Sequence, residues 1–279
     1  MYVYYFLFVF ALIWVIAAII CDMKKREVPN WVNFSLIAFA LAYKLFYSIF
    51  TENYTFFLFG IIGFIAFLIV ANLFYYTKLF AGGDTKLLIG IGCILPFGSF
   101  SNLLTYSLEF IFLLFFFGAI YSLVYSIFLV IKNKKQFLFE LKKQFSTKKM
   151  LIFIPSFCAV VMFVILPSTL ILAIFIILMS ILYLYFKSLD ICMIKLIEPE
   201  NLTEGDWLEK EIRIKGRLIA KSVHGLSLED IKLIRNAKKR VYIKEGIPFT
   251  PAFLLALLFM VFFYPILESS LYVLLAFLS

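Results

Sequence analysis

Histidine occurs once in 279 residues, cysteine four times, and charged residues make up only 15% of the chain. Each shortage excludes a kind of chemistry. The single histidine, His224, lies beside Gly225 with no supporting triad motif, so it reads as a surface residue. Cys21, Cys93, Cys158 and Cys192 are scattered without a CxxC pair, which argues against a zinc knuckle or a disulfide framework. They read as small hydrophobes. There is no HExxH, no P-loop and no dinucleotide fingerprint. The first twenty residues have no basic start, and Cys21-Asp22 is not a small-residue cleavage site, so this segment reads as a retained span. No internal repeat or low-complexity linker is visible.

What fills the chain is apolar surface. Hydrophobic residues make up 64% of it, with 36 phenylalanines, well outside the range of a soluble domain. The apolar stretches fall at 2–21, 31–50, 55–77, 85–98, 103–131, 151–166, 168–187 and 250–278. The expected fold is therefore an all-α polytopic membrane protein of about eight transmembrane helices. The fourth stretch is short, as suits a half-buried helix beginning at Asp84. Pro155 and Pro167 interrupt 151–187, which is too long for one ~30 Å crossing and reads as a hairpin turning at Pro167-Ser168.

The net charge of +9 follows the positive-inside rule and not a nucleic-acid footprint. Basic residues gather at Lys24-Lys25-Arg26, around Lys78 and Lys86, in a loop from Lys132 to Lys149, and from Lys187 to Lys244. Only Lys44 lies elsewhere. Placing these clusters in the cytoplasm puts the N-terminus outside and makes 151–187 cross twice. The resulting division is a membrane domain over 1–187, a small cytosolic α/β domain over 188–249, and a last span over 250–279. In the soluble part, Glu211–Gly216 and Lys239–Lys244 read as strands, and Ser227–Ile231 opens a short helix with a capping box. About sixty residues leave little room for a core, so this part is expected to lean on the membrane domain or on lipid headgroups.

Within this setting two carboxylates stand out, because a carboxyl near hydrocarbon is expensive and marks a functional site by default. Asp22 closes the first span and precedes Lys24-Lys25-Arg26. Asp84 follows Gly82-Gly83 at the start of an apolar helix. Each has an ordinary reading: Asp22 as an interfacial residue beside a stop-transfer cluster, Asp84 as a helix N-cap. As a pair they can share one proton, one acting as base and the other as acid toward a water that attacks a peptide carbonyl. Lys86, two residues along the helix, is expected to point away. Glu109 and Glu268 lie in or near spans, where they could snorkel, pair with Lys44 or sit protonated.

These residues resemble the type IV prepilin peptidases. Asp22 with the following Lys-Lys-Arg-Glu-Val-Pro-Asn is similar to that family's first catalytic segment. Ala81-Gly82-Gly83-Asp84-Thr85-Lys86-Leu87-Leu88 is similar to its GxGD segment, with Ala81 where the pattern has glycine. Gly246-Ile247-Pro248-Phe249-Thr250-Pro251-Ala252-Phe253 is similar to its terminal element, and Glu204–Leu208 resembles the archaeal, preflagellin-processing branch. The hairpin at 151–187 exceeds the six spans expected for that branch, which points to a specialised pilin-processing relative.

The resemblance implies an aspartic endopeptidase that removes a short basic leader from prepilin- or preflagellin-like precursors on the cytoplasmic face. Asp22 and Asp84 would be the catalytic dyad, and Gly82 and Gly83 the tight backbone before Asp84. No metal or organic cofactor is expected, and no methyltransferase activity, since the cysteine-rich domain linked to it is absent. The expected partners are the precursor, entering laterally from the bilayer, and membrane lipid. Glu198, Glu200, Glu204, Asp206 and Glu209 either receive leader lysines as an acidic counter-patch or form a solvated loop. A proton- or cation-coupled transporter and a non-catalytic assembly platform are the alternatives.

Overall fold

The structure is a computed structural model, and it describes residues 2–214, 216–222 and 225–262. His224 and Glu268 lie outside the described residues, as does the last span beyond Phe262. The chain divides into two compact units, one joining Met1–Leu123 to Pro248–Ser279 and the other comprising Val124–Ile247.

The first unit is helical. It contains α1 (Tyr2–Lys25), α2 (Asn30–Phe50), α3 (Thr55–Tyr76), α4 (Gly82–Ile94), the first part of α5 (Phe100–Lys132), and α9 (Thr250–Phe262). Among the described residues six helices are long and apolar enough to cross a bilayer: α1, α2, α3, α5, α6 and α7. The protein is thus an all-α polytopic membrane protein with a small α/β segment, as the apolar patterning predicts.

Helix α4 is the exception in length. Its 13 residues reach ~20 Å, short of a ~30 Å hydrocarbon core. Yet it is the most enclosed helix of the unit, with Thr85 and every residue from Leu87 to Ile94 buried. Glycines make that possible. A Cβ on Gly90 would fall 2.7 Å from Leu36 on α2. A Cβ on Gly63 of α3 would fall 2.5 Å from both the Gly92 carbonyl oxygen and the Phe97 ring. Backbone and aromatic ring therefore occupy space that side chains would otherwise need.

A helix that ends inside the unit exposes carbonyls with no intrahelical partner. Lys44, fully buried on α2, answers this: its Nζ donates to the Leu95 carbonyl at 3.2 Å and lies 5.2 Å from the centre of the Phe56 ring. A cation at a helix C-terminus is favourable, and the aromatic face adds to it. The sequence leaves Lys44 open to pairing with Glu109 or Glu268, but its hydrogen bond goes to backbone. Glu109 is half-buried on α5.

The second unit continues α5 and adds α6 (Lys134–Ile165), a 3₁₀ turn at Pro167–Thr169, and α7 (Leu170–Leu189). The chain reverses at that turn, so α6 and α7 form a hairpin. Pro155 is accommodated inside α6, whose one break in helical geometry is at Lys148 (φ −114°, ψ 19°). The basic stretch from Lys134 is helical, where the sequence predicts a loop. The reason is a hydrophobic stripe between the lysines. Phe137 and Leu141, at the i, i+4 spacing of one helix face, pack with Leu189 at the end of α7 and with Cys192 in the turn that follows it.

Beyond α7 the strands are β1 (Ile194–Ile197), β2 (Trp207–Leu208), β3 (Ile212–Ile214), β4 (Arg217–Ile219) and β5 (Val241–Lys244), with α8 (Leu228–Asn236) before the last. β5 is central, antiparallel to β1 on one side and to β2 on the other; β3 and β4 make a separate hairpin. The Ser227–Asp230 capping box is present. Small as it is, the segment builds its own core from Leu202, Leu208, Ile214, Ile219, Leu226, Ile231, Ile234, Val241 and Ile243.

The α3–α4 contact gives a direct expectation. Gly63→Ala should destabilise the protein by about 1–3 kcal/mol, because neither the Gly92 backbone nor Phe97 can retreat without cost. Thermal unfolding in detergent would check it.

Candidate active site

Asp22 sits in the last turn of α1. The helix stops four residues later, where the Arg26 N–H bonds the Asp22 carbonyl at 2.8 Å and Arg26 takes a left-handed conformation (φ +57°). The Asp22 side chain is buried, 8% exposed, and its Oδ2 accepts a hydrogen bond from the Thr250 hydroxyl at 2.7 Å. Thr250 is the first residue of α9 and is itself fully buried. A short O–H···O bond to a carboxylate is among the stronger kinds.

Asp84 is the third residue of α4, not its N-cap. The N-cap is Ala81, in an extended conformation (φ −74°, ψ 162°). The Asp84 carboxyl reaches back to a backbone hydrogen bond with Ala81, the N3 half of a capping box. A carboxylate there also meets the positive end of the helix dipole. The two aspartates are within electrostatic range, Asp22 acting directly on Asp84.

The glycines before Asp84 have unequal roles. Neither takes a left-handed conformation; both begin the helix. A Cβ on Gly82 would meet nothing nearer than Tyr75 at 3.8 Å, whereas one on Gly83 would come within 3.2 Å of the Val28 Cβ and 3.4 Å of its backbone nitrogen. Gly83 is therefore where the α1–α2 connection approaches α4. Ala81 needs no glycine, because any residue adopts its extended backbone.

Helix α2 ties the same turn down by two side chains on one face. Asn30 accepts from Lys86 Nζ at 2.6 Å, which turns that cation away from Asp84. Asn33, fully buried, donates from Nδ2 to the Gly83 carbonyl at 3.4 Å. Its Oδ1 is buried without a hydrogen-bond partner among the described residues. Neither Thr250 nor Asn33 stands out as a site residue in the sequence. Thr250 was legible as part of the Gly246–Phe253 element, and Asn33 through its i, i+3 spacing from Asn30.

The five acidic residues lie in the second unit. Glu198 pairs with Arg240 at 2.6 Å. Asp206 accepts from the Thr203 N–H at 2.8 Å and its hydroxyl at 3.1 Å. Burial pushes the Asp206 carboxyl above its ordinary value, against the lowering effect of those bonds. Glu200 and Glu204 are exposed and Glu209 is half-exposed. Among the described residues no three His, Cys, Asp or Glu side chains gather closely enough to hold a metal ion.

A membrane helix bundle with two carboxyls in electrostatic range at helix ends invites comparison with known proteins. Residues 9–123, the segment holding Asp22 and Asp84, match the type IV leader peptidase family. The resemblance drawn from the motifs therefore stands over that segment. The chain is 32% identical over 130 residues to a preflagellin peptidase of Methanococcus voltae, covering 44% of this chain and 55% of that protein. It is 30% identical over 89 residues to a preflagellin peptidase of Methanocaldococcus jannaschii, covering 32% of this chain and 38% of that one. The chain thus spans about half or less of the length of these relatives. No solved structure matches.

The glycine geometry separates two substitutions. Gly83→Val should cost about 1–3 kcal/mol by overpacking against Val28, while Gly82→Ala should be neutral or slightly stabilising at the first helical position. Unfolding midpoints of the two variants in detergent, compared with wild type, would show the split.

Proposed function

We propose that this protein is an aspartic endopeptidase that removes the basic leader of prepilin- or preflagellin-like precursors at the cytoplasmic face of the membrane. The observation that carries the reading is the approach of Asp22 and Asp84 within a segment matching the leader peptidase family. The orientation follows from the basic residues, which gather at the aspartate-bearing ends of the spans. In this reading the α/β segment over 188–249 is cytosolic.

The chemistry uses the pair as one unit with a shared proton. The ionised carboxyl takes a proton from water as its oxygen attacks the scissile carbonyl carbon. The protonated carboxyl gives its proton to the carbonyl oxygen, forming a gem-diol. That diol then collapses: the amide nitrogen is protonated, the C–N bond breaks, and one proton stays on the dyad. The scissile bond must be extended for this, since a helical carbonyl is occupied by its own hydrogen bond. The buried setting of Asp22 strengthens such electrostatic control relative to water.

Asp22→Asn and Asp84→Asn should each lower cleavage by about 10²–10⁴-fold or more, in membranes containing a precursor with a basic leader. Retention of wild-type cleavage by either folded variant would sink the aspartic mechanism.

The acidic patch is the second part of the proposal, as the receiver of leader lysines. It is supported by the exposure of Glu200 and Glu204. The ion pair of Glu198 and the local bonds of Asp206 make those two the weaker contributors. Reversal to lysine at Glu198, Glu200, Glu204, Asp206 and Glu209 together should raise KM severalfold, with a smaller effect in high salt. Unchanged cleavage kinetics would remove the patch from the mechanism.

A further inference from the structure

We propose that Phe249 and Thr250 are a positioning pair that sets Asp22 against Asp84; the inference rests on the dyad reading above. The two residues are adjacent in sequence and grip different aspartate segments. Thr250 holds the Asp22 carboxylate through its hydroxyl, 228 positions away along the chain and with both side chains buried. Phe249 reaches the other segment. Its ring centre lies 5.2 Å from that of Phe80, the residue directly before the Ala81-Gly82-Gly83-Asp84 turn. Phe253, one turn along α9, lies 6.0 Å from the same ring.

The surroundings are built to seat this pair. Gly118 on α5 leaves the space that the Phe249 ring fills, since a Cβ there would fall 2.5 Å from it. The Ala252 N–H bonds the Phe249 carbonyl at 3.0 Å, closing the first turn around Thr250. Pro251 follows at the second helical position, where a missing N–H costs nothing and a fixed φ stiffens the start. A stiff helix start with a carboxylate on one residue and an aromatic cluster on its neighbour fixes one aspartate relative to the other. Thr250 touches neither water nor substrate in this scheme; it acts through Asp22.

The test uses the full chain in liposomes with a precursor bearing a basic leader, and separates kcat from KM. Thr250→Val keeps the shape of the side chain and removes the hydroxyl. It should lower kcat by about 10²-fold with KM changed by less than about twofold, because misplacement of a catalytic group acts on the chemical step. Thr250→Ser keeps the hydroxyl and should retain activity within about threefold of wild type. Thermal unfolding of each variant shows that the fold is intact. Wild-type kcat in Thr250→Val, or equal losses in Val and Ser, would overturn the positioning role. Asp22→Asn run alongside distinguishes the two levels of the argument. If it is inactive while Thr250→Val is fully active, the dyad stands and the positioning pair fails; if it cleaves normally, the dyad reading itself fails.

Discussion

A helix too short for the membrane must find partners for both its ends inside the protein, and α4 is that helix. Its N-terminal end carries Asp84, whose carboxyl turns back to Ala81. Its C-terminal end is met by the Lys44 ammonium at the Leu95 carbonyl. An acidic group at one end and a basic group at the other both suit the direction of the peptide dipoles. The glycines of α3 and α4 then allow the backbones to close around this charged axis without leaving voids. The candidate site is thus one end of a polar element enclosed by apolar helices.

The remaining pieces attach to that element by polar contacts that the chain could not obtain from lipid. Asn33 on α2 holds the Gly83 carbonyl before Asp84, Asn30 holds Lys86 after it, and Thr250 on α9 holds the Asp22 carboxylate. These three side chains, like the aspartates, sit at helix starts or in the first or last turns, where the backbone itself has unmet hydrogen-bonding capacity. Interhelical polar contacts also fix rotation and height, which nonspecific apolar packing between lipid-like surfaces does poorly.

Much of this was legible from residues alone where composition made a residue conspicuous. Asp22 and Asp84 stand out because carboxylates are scarce in such a chain, and the Ser227–Asp230 capping box because its pattern is local. The basic half of α6 reads as a loop in the sequence because paired lysines obscure the Phe137–Leu141 stripe, which packs against residues some fifty positions on, Leu189 and Cys192 among them. β1 and β4 escaped because strands of three or four residues owe their existence to a partner strand. The partner of Lys44 was illegible for a different reason: it is a backbone carbonyl, and backbone leaves no mark in a sequence. Thr250 and Asp22 are separated by nearly the whole chain, so nothing local links them.

A Cβ on Gly92 would fall 2.4 Å from the Phe67 side chain of α3, and this interlock of Gly63, Gly92, Phe67 and Phe97 has a mechanical consequence. Sliding α4 by even one residue would drive aromatic rings into main-chain atoms, so the helix has a single seat along its axis. The depth at which Asp84 stands is therefore gauged from the far end of the helix, by a contact eight residues removed from it. The dimensional tolerance of the dyad is set where no chemistry occurs.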